Sequence, residues 1–219
     1  GQVFSVVVFV NGMNVQSQEF KIAEEGSATY GLTNGYGTPE RPFLIETAED
    51  LKKLSGKTLS ESYMLMNNID LGGYNWSPMW LNSNAIFDGN GFAIYNFNIL
   101  SARNYYSNYY GIGFIAYNTK GATVKNLQLG VSRDSVLAET SGLTSGYSFK
   151  VSDTIKQSSK QWLFAGGIVG ENFGIVENCS VINGDVYGSI STTNDNYKSQ
   201  EEAFVYVGGI CGSNSSGKI

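Results

Sequence analysis

Read for the spacing of its apolar and polar positions, the chain opens with two strands. Val3–Val10 is an almost unbroken Val/Phe run, and 15–22 alternates loosely between polar and apolar. Between them stands Asn11-Gly12, whose residues tolerate the positive φ of a two-residue hairpin turn, so the pattern predicts a β-hairpin. Residues 24–26 and 33–42 are turn-rich connectors. One helix is predicted, over 48–54. Thr47 can cap its first turn, Asp50 stands at the capping-box position, Lys52 and Lys53 suit its negative end, and Gly56 can stop it. Its apolar stripe is only Leu51 and Leu54, so it must dock on something larger.

The rest of the chain repeats. Gly113-Phe114-Ile115-Ala116-Tyr117-Asn118 aligns with Gly167-Ile168-Val169-Gly170-Glu171-Asn172 and with Gly209-Ile210-Cys211-Gly212-Ser213-Asn214. The first is followed by Thr123-Val124-Lys125-Asn126-Leu127, the second by Ile175-Val176-Glu177-Asn178-Cys179, and the third breaks off mid-unit at Ile219. That break, and a start at Gly1 in place of Met, read as a fragment with its export signal removed. Each unit is a short strand, a Gly/Asn turn and a short strand, with variable stretches at 131–164 and 182–207. Such a unit cannot bury its apolar face alone; stacked copies can, which predicts a solenoid of parallel strands about 4.8 Å apart. Stacking sets like residues in columns. Asn126 and Asn178 are expected to form such a ladder, with Asn178 inward or along a corner and bonded to backbone of the adjacent turn.

Composition narrows the function. With Lys+Arg 14 against Asp+Glu 19 the net charge is −5, and no basic run occurs, so no nucleic-acid partner is expected. The absence of histidine removes His-based triads and ligands, and two cysteines make neither a zinc site nor a disulfide framework. Cys179 aligns with Leu127 and Cys211 with Val169, so both read as small core residues. No segment is long enough to span a membrane. Neither a metal nor a cofactor is expected.

Several groups carry candidate chemistry. Asp88-Gly89-Asn90-Gly91 has oxygens that suit calcium, but too few at the right spacing; a tight positive-φ turn is the simpler reading, as it is for Asp70 before Leu71-Gly72-Gly73. Glu171 and Glu177 are the carboxylate pair an acid/base hydrolase would need, or solvated outward positions. Arg103-Asn104-Tyr105-Tyr106-Ser107-Asn108-Tyr109-Tyr110 stands out. Tyr105, Tyr106, Tyr109 and Tyr110 form either a ligand-binding surface on a loop or a strand with half its rings inward. Trp76, Trp80 and Trp162 read as core-edge or cap residues.

These motifs resemble the GLUG-repeat family. Gly166-Gly167-Ile168-Val169-Gly170 with Val176-Glu177-Asn178-Cys179-Ser180 is similar to one repeat, and Gly208-Gly209-Ile210-Cys211-Gly212 to another. Phe43-Leu44-Ile45-Glu46-Thr47-Ala48-Glu49-Asp50-Leu51, Asn68-Ile69-Asp70-Leu71-Gly72-Gly73 and Phe87-Asp88-Gly89-Asn90-Gly91 resemble the region preceding such repeats. The resemblance covers 43–219, leaving 1–42 as hairpin, cap and connector. It implies a right-handed parallel β-helix in exported, often outer-membrane-anchored or extracellular proteins of gut anaerobes, including adhesins and non-catalytic parts of secreted peptidases, with no catalytic residues to carry over.

The expected fold is therefore all-β: a right-handed parallel β-helix with a short capping helix and the hairpin covering its first edge. The expected function is a non-catalytic surface module for adhesion or carbohydrate contact, its partner a glycan or a host or cell-surface protein. A polysaccharide lyase or glycoside hydrolase on the same scaffold, and a structural stalk, are the alternatives.

Overall fold

The computed structural model describes residues 3–10, 13–21, 30–106, 108–132, 134, 149–157, 161–192 and 203–219, with backbone alone for 3–10, 13–21, 105–106, 149, 152–157 and 191–192. The N-terminal hairpin is present. β1 (Val3–Val10) and β2 (Met13–Lys21) run antiparallel from Val3↔Lys21 to Val10↔Met13, joined by two residues. They form a sheet of their own.

After an entry strand at Phe43, the chain from Thr58 onward passes through its sheets in a repeated order. β3 (Phe43–Ile45) leads into α1 (Ala48–Lys53). Then come β4 (Thr58–Leu59), β5 (Ser62–Leu65) and β6 (Ile69–Asn75). The next passage is β7 (Met79–Leu81), β8 (Ile86–Asp88), β9 (Ala93–Ile99), β10 (Arg103–Tyr106) and β11 (Tyr109–Ile112). The third is β12 (Ile115–Asn118), β13 (Thr123–Lys125), β14 (Gln128–Leu129), β15 (Phe149–Gln157) and β16 (Gln161–Gly166). The fourth is β17 (Val169–Asn172), β18 (Ile175–Glu177), β19 (Ser180–Val181), β20 (Gly184–Thr192) and β21 (Ala203–Gly208), after which β22 (Cys211–Asn214) begins another.

From β7 onward each passage adds one parallel strand to each of two sheets, and the third and fourth passages add two strands each to a third. Sheet I runs β3-β5-β8-β13-β18 and sheet II β4-β7-β12-β17-β22. Sheet III is β19-β14-β9-β15-β20 with β6 also on β9, and sheet IV is β10-β11-β16-β21, in which only β10–β11 is antiparallel. The molecule is thus nearly all β with parallel sheets, and repeat pairs with repeat as the alignment requires: Ile115↔Val169↔Cys211 and Val124↔Val176. Among the described residues the variable stretches contain strands: β15 and β20 pair along nine residues and carry β16 and β21 behind them. Arg103–Tyr106 and Tyr109–Ile112 likewise form a strand pair and not a loop.

The interior is filled by columns. Phe43, Tyr63, Phe87, Val124 and Val176 follow one another across sheet I, all buried, as strand alternation dictates for one face. Phe114 sits among them as a hub. It stacks on Trp76 at 4.7 Å and meets Phe87 and Phe97 edge-on, while the Trp76 indole donates to its carbonyl. Sheet IV folds back against sheet II so closely that a Cβ on Gly170 would lie 2.7 Å from Ala116 O and 2.8 Å from Ile112 N. Gly212, its repeat partner, lies equally tight against Phe164 and Ala165.

The helix forms as its residues predict. Thr47 and Asp50 make the reciprocal capping box, Leu51 and Leu54 are fully buried, and Gly56 takes φ +73 beyond the C-cap. At the first edge the connector bonds the outer strands. Leu44 N, on the outer side of β3, donates to Asn34 O, and Ser62 N to Gly37 O. Gly170→Ala is expected to lower stability by about 1–3 kcal/mol, because the contact atoms are backbone and cannot rotate away. Urea unfolding of the two proteins measures it.

Candidate functional site

Two asparagine columns cross the molecule, and they differ in kind. Across sheet II the register runs Leu59, Leu81, Asn118, Asn172, Asn214. Asn118 Nδ2 donates to Asn172 Oδ1 at 2.7 Å and to Ile175 O at 3.1 Å. Asn172 Nδ2 repeats this with Asn214 Oδ1 at 2.9 Å and Lys218 O at 3.2 Å, and its Oδ1 accepts from Gly174 N. Asn118 and Asn172 are fully buried, and Asn118 Oδ1, at the head of the column where Leu81 precedes it, has no donor among the described residues.

The column expected from the sequence lies elsewhere, along the outer corner between sheets I and III. Asn178 Nδ2 donates to Asn126 Oδ1 at 2.8 Å, and Asn126 Nδ2 to Asp88 Oδ1 at 3.0 Å, where Lys125 Nζ also pairs with Asp88. Asn178 thus lies along a corner and ladders on Asn126, as expected, but it is exposed and its amide bonds a side chain, so the bond to backbone of the adjacent turn is corrected. The reason for Asn here is the backbone. Asn126 and Asn178 sit at φ +52 and +50, the left-handed region that Asn tolerates better than other non-glycine residues. Asp88-Gly89-Asn90-Gly91 is a turn of the same type: Asp88 Oδ1 accepts from Asn90 N, with Asn90 at φ +50 and Gly91 at +80.

The tyrosine-rich segment separates by strand alternation. The side chains of Tyr105 and Tyr106 lie outside the described residues. Tyr110 packs on the core, in register with Leu163. Tyr109 faces out and heads an aromatic column: it stacks on Trp162 at 4.6 Å and 4°, and Trp162 on Phe204 at 5.8 Å and 13°. Beside it Phe164 stacks on Tyr206 at 5.4 Å. Rings lying side by side would need centroids well beyond these distances, so the rings meet face to face and turn their edges outward. The Tyr117 hydroxyl shares its one O–H between the carbonyls of Tyr109 at 3.0 Å and Arg103 at 3.2 Å, tying the β10–β11 pair to sheet II. Phe164, Phe204 and Tyr206 were not singled out by the sequence, and Trp162 was read there only as a core-edge or cap residue. Their signal was an aromatic-x-aromatic pattern before Gly166-Gly167 and Gly208-Gly209.

Glu171 and Glu177 are not brought together. Glu177 is exposed on sheet I, whereas Glu171 is 5% exposed on sheet II, in register between Tyr117 and Ser213. Ser215 Oγ donates to Glu171 Oε1 at 2.8 Å and lies 3.2 Å from Ser213 Oγ. Burial raises the Glu171 carboxyl above its ordinary value, and the Ser215 bond opposes this. Cys179 and Cys211 are free thiols, and burial raises both, Cys211 to about 12. No group of three metal-ligating side chains occurs among the described residues, and no helix there is long and apolar enough to cross a membrane.

A raised carboxyl is favoured in its neutral form, so its stability contribution is complete below the unfolded value and falls away as pH rises through the folded one. Glu171→Gln, which keeps an acceptor for Ser215, is expected to stabilise the protein at neutral pH and to flatten its pH profile. Urea midpoints from pH 4 to 8 read both. The asparagine columns predict a contrast as well. Asn172→Leu, which strands buried amides on both sides, should cost about 2–4 kcal/mol. Asn178→Leu should cost only about 1 kcal/mol, from its left-handed backbone, and Asn178→Gly should be nearly neutral. Equal costs at the two positions would show that the columns carry equal weight.

No protein family matches the chain, and no curated protein does. A solved structure from Bacteroides ovatus, described as a "putative immunoglobulin A1 protease", is 20% identical over 84% of this chain and 65% of its own length, with a TM-score of 0.38. The chain thus spans just under two thirds of that protein, and a likeness at this level assigns neither fold nor activity.

Proposed function

We propose that the chain is a length of right-handed parallel β-helix from an exported protein of the GLUG-repeat kind, serving at the cell surface as a non-catalytic module for adhesion or carbohydrate contact. The coiling order of sheets II, I, III and IV, repeated in register, supports the solenoid reading. The observation that carries the function is the aromatic face of sheet IV. Tyr109, Trp162 and Phe204 are half-buried in their column, and Tyr206, beside Phe204 on the outer side of β21, is 45% exposed. Aromatic groups gathered on one partly exposed face mark a contact surface. Within the columns the ring faces are taken up by one another. Among the described residues, the one best able to lie against a sugar or an apolar side chain is Tyr206, which stacks there on Phe164.

The test is binding to a glycan array and to immobilised mucin. Tyr206→Ala is expected to weaken binding about tenfold, as loss of a stacked aromatic contact does, with little change in unfolding. Trp162→Ala, which breaks two stacks, should instead cost about 1–3 kcal/mol of stability. Folded protein that binds nothing on either surface would overturn the adhesion reading and leave the stalk.

A further inference from the structure

We propose that Lys57 and Arg103 form a subsite for the carboxylate of an acidic sugar, an inference that rests on the carbohydrate-contact reading and gives it a ligand class. Lys57 follows the helix and Arg103 opens β10, far apart in sequence, yet the Arg103 guanidinium is tied to the Lys57 backbone. Its Nη1 donates to Lys57 O at 3.2 Å and Pro78 O at 3.5 Å, and its Nη2 to Thr58 Oγ1 at 3.1 Å. Each cation lies over an aromatic ring, Lys57 Nζ 5.7 Å from the centre of Tyr30 and Arg103 Cζ 5.7 Å from that of Trp80. Tyr30 is anchored by its own hydroxyl bond to Thr58 O.

Two features turn this cluster into a binding site. Lys52, Lys53 and Lys125 each face a carboxylate, whereas neither Lys57 nor Arg103 has an ion-pair partner among the described residues. Glu61 is the nearby acid, and its carboxylate already accepts from the Tyr63 hydroxyl and Ser60 N. Second, the guanidinium is held in place before any ligand arrives. It has five N–H groups. Three are used among the described residues, which leaves Nε–H and one Nη2–H to donate to an anion. Lys57 is exposed and Arg103 half-buried, so an anion can reach both. Burial lowers the Arg103 pKa, the cost that a bound carboxylate would relieve. The aromatic rings beneath the cations supply apolar surface for the sugar itself.

The experiment titrates the full chain with sodium glucuronate and with neutral methyl glucoside, reading tryptophan emission, and with immobilised polygalacturonate and its methyl ester. Glucuronate and polygalacturonate are expected to bind, with the neutral counterparts much weaker and the difference lost in high salt. Lys57→Glu, at an exposed position, should weaken glucuronate binding about tenfold, as loss of a charge-assisted contact does. Arg103→Lys, which keeps the charge but loses the fork, should weaken it similarly, with thermal unfolding followed to confirm the fold. Equal response to methyl glucoside, or unchanged affinity in Lys57→Glu, overturns the subsite, and neutral glycans that still bind leave the carbohydrate reading standing. Glucuronate that binds at this site while every polymer fails supports the subsite and overturns the adhesion reading.

Discussion

The buried amide column Asn118–Asn172–Asn214 is the interaction on which the stacking of passages depends. An apolar column would hold neighbouring turns together at almost any small offset, because dispersion is not directional. An amide column holds them at one. Each Nδ2 must reach both the next side chain's Oδ1 and the carbonyl at the next bend, and a slip of one residue would strand buried donors on every turn. The column begins where Leu59 and Leu81 end, so the N-terminal passages are held by packing and helix docking and the later ones by polar register.

A second constraint follows from glycine. Gly170 and Gly212 let sheet IV lie directly on sheet II, and this fold-back carries the outer face of β11, β16 and β21 into a common plane. There the in-register aromatics have no choice but to stack. Stacking stabilises the sheet and at the same time withdraws ring faces from solvent. The aromatic surface therefore offers edges along its length and an accessible ring at Tyr206. Stability and recognition compete for the same rings, which is why the two proposed contact regions, Tyr206 and the Lys57–Arg103 pair, stand outside the tightest part of the column.

Charge follows the same logic of turn against turn. Asp88 is satisfied by Asn126, Asn90 and Lys125 from its own and the following passage, and Glu171 by Ser215 from the next. Asp88 and Glu171 are thus partnered along the stacking direction, so removing one partner is felt on a neighbouring passage. Lys57 and Arg103 depart from that pattern, held by carbonyls, a hydroxyl and aromatic rings where a carboxylate would be ordinary.

The sequence by itself determined what local chemistry and repetition can determine. The hairpin was legible from Asn11-Gly12, the helix from Thr47 and Asp50, and the parallel pairing of repeats from the aligned glycines, because each depends on residues close in sequence or on a copied pattern. The aligned Asn118, Asn172 and Asn214 were equally visible, yet nothing in one turn says whether its asparagine faces the core or a corner. That depends on backbone φ, which put Asn126 and Asn178 outside at positive values. Only the tertiary structure decided that 149–166 and 184–208 contain strands in register and not decoration, since their pairing partners lie a full passage away. It alone joined Tyr109 to Trp162 and Lys57 to Arg103, because contacts between passages arise from where the chain returns, a property of the closed turn and not of any segment within it.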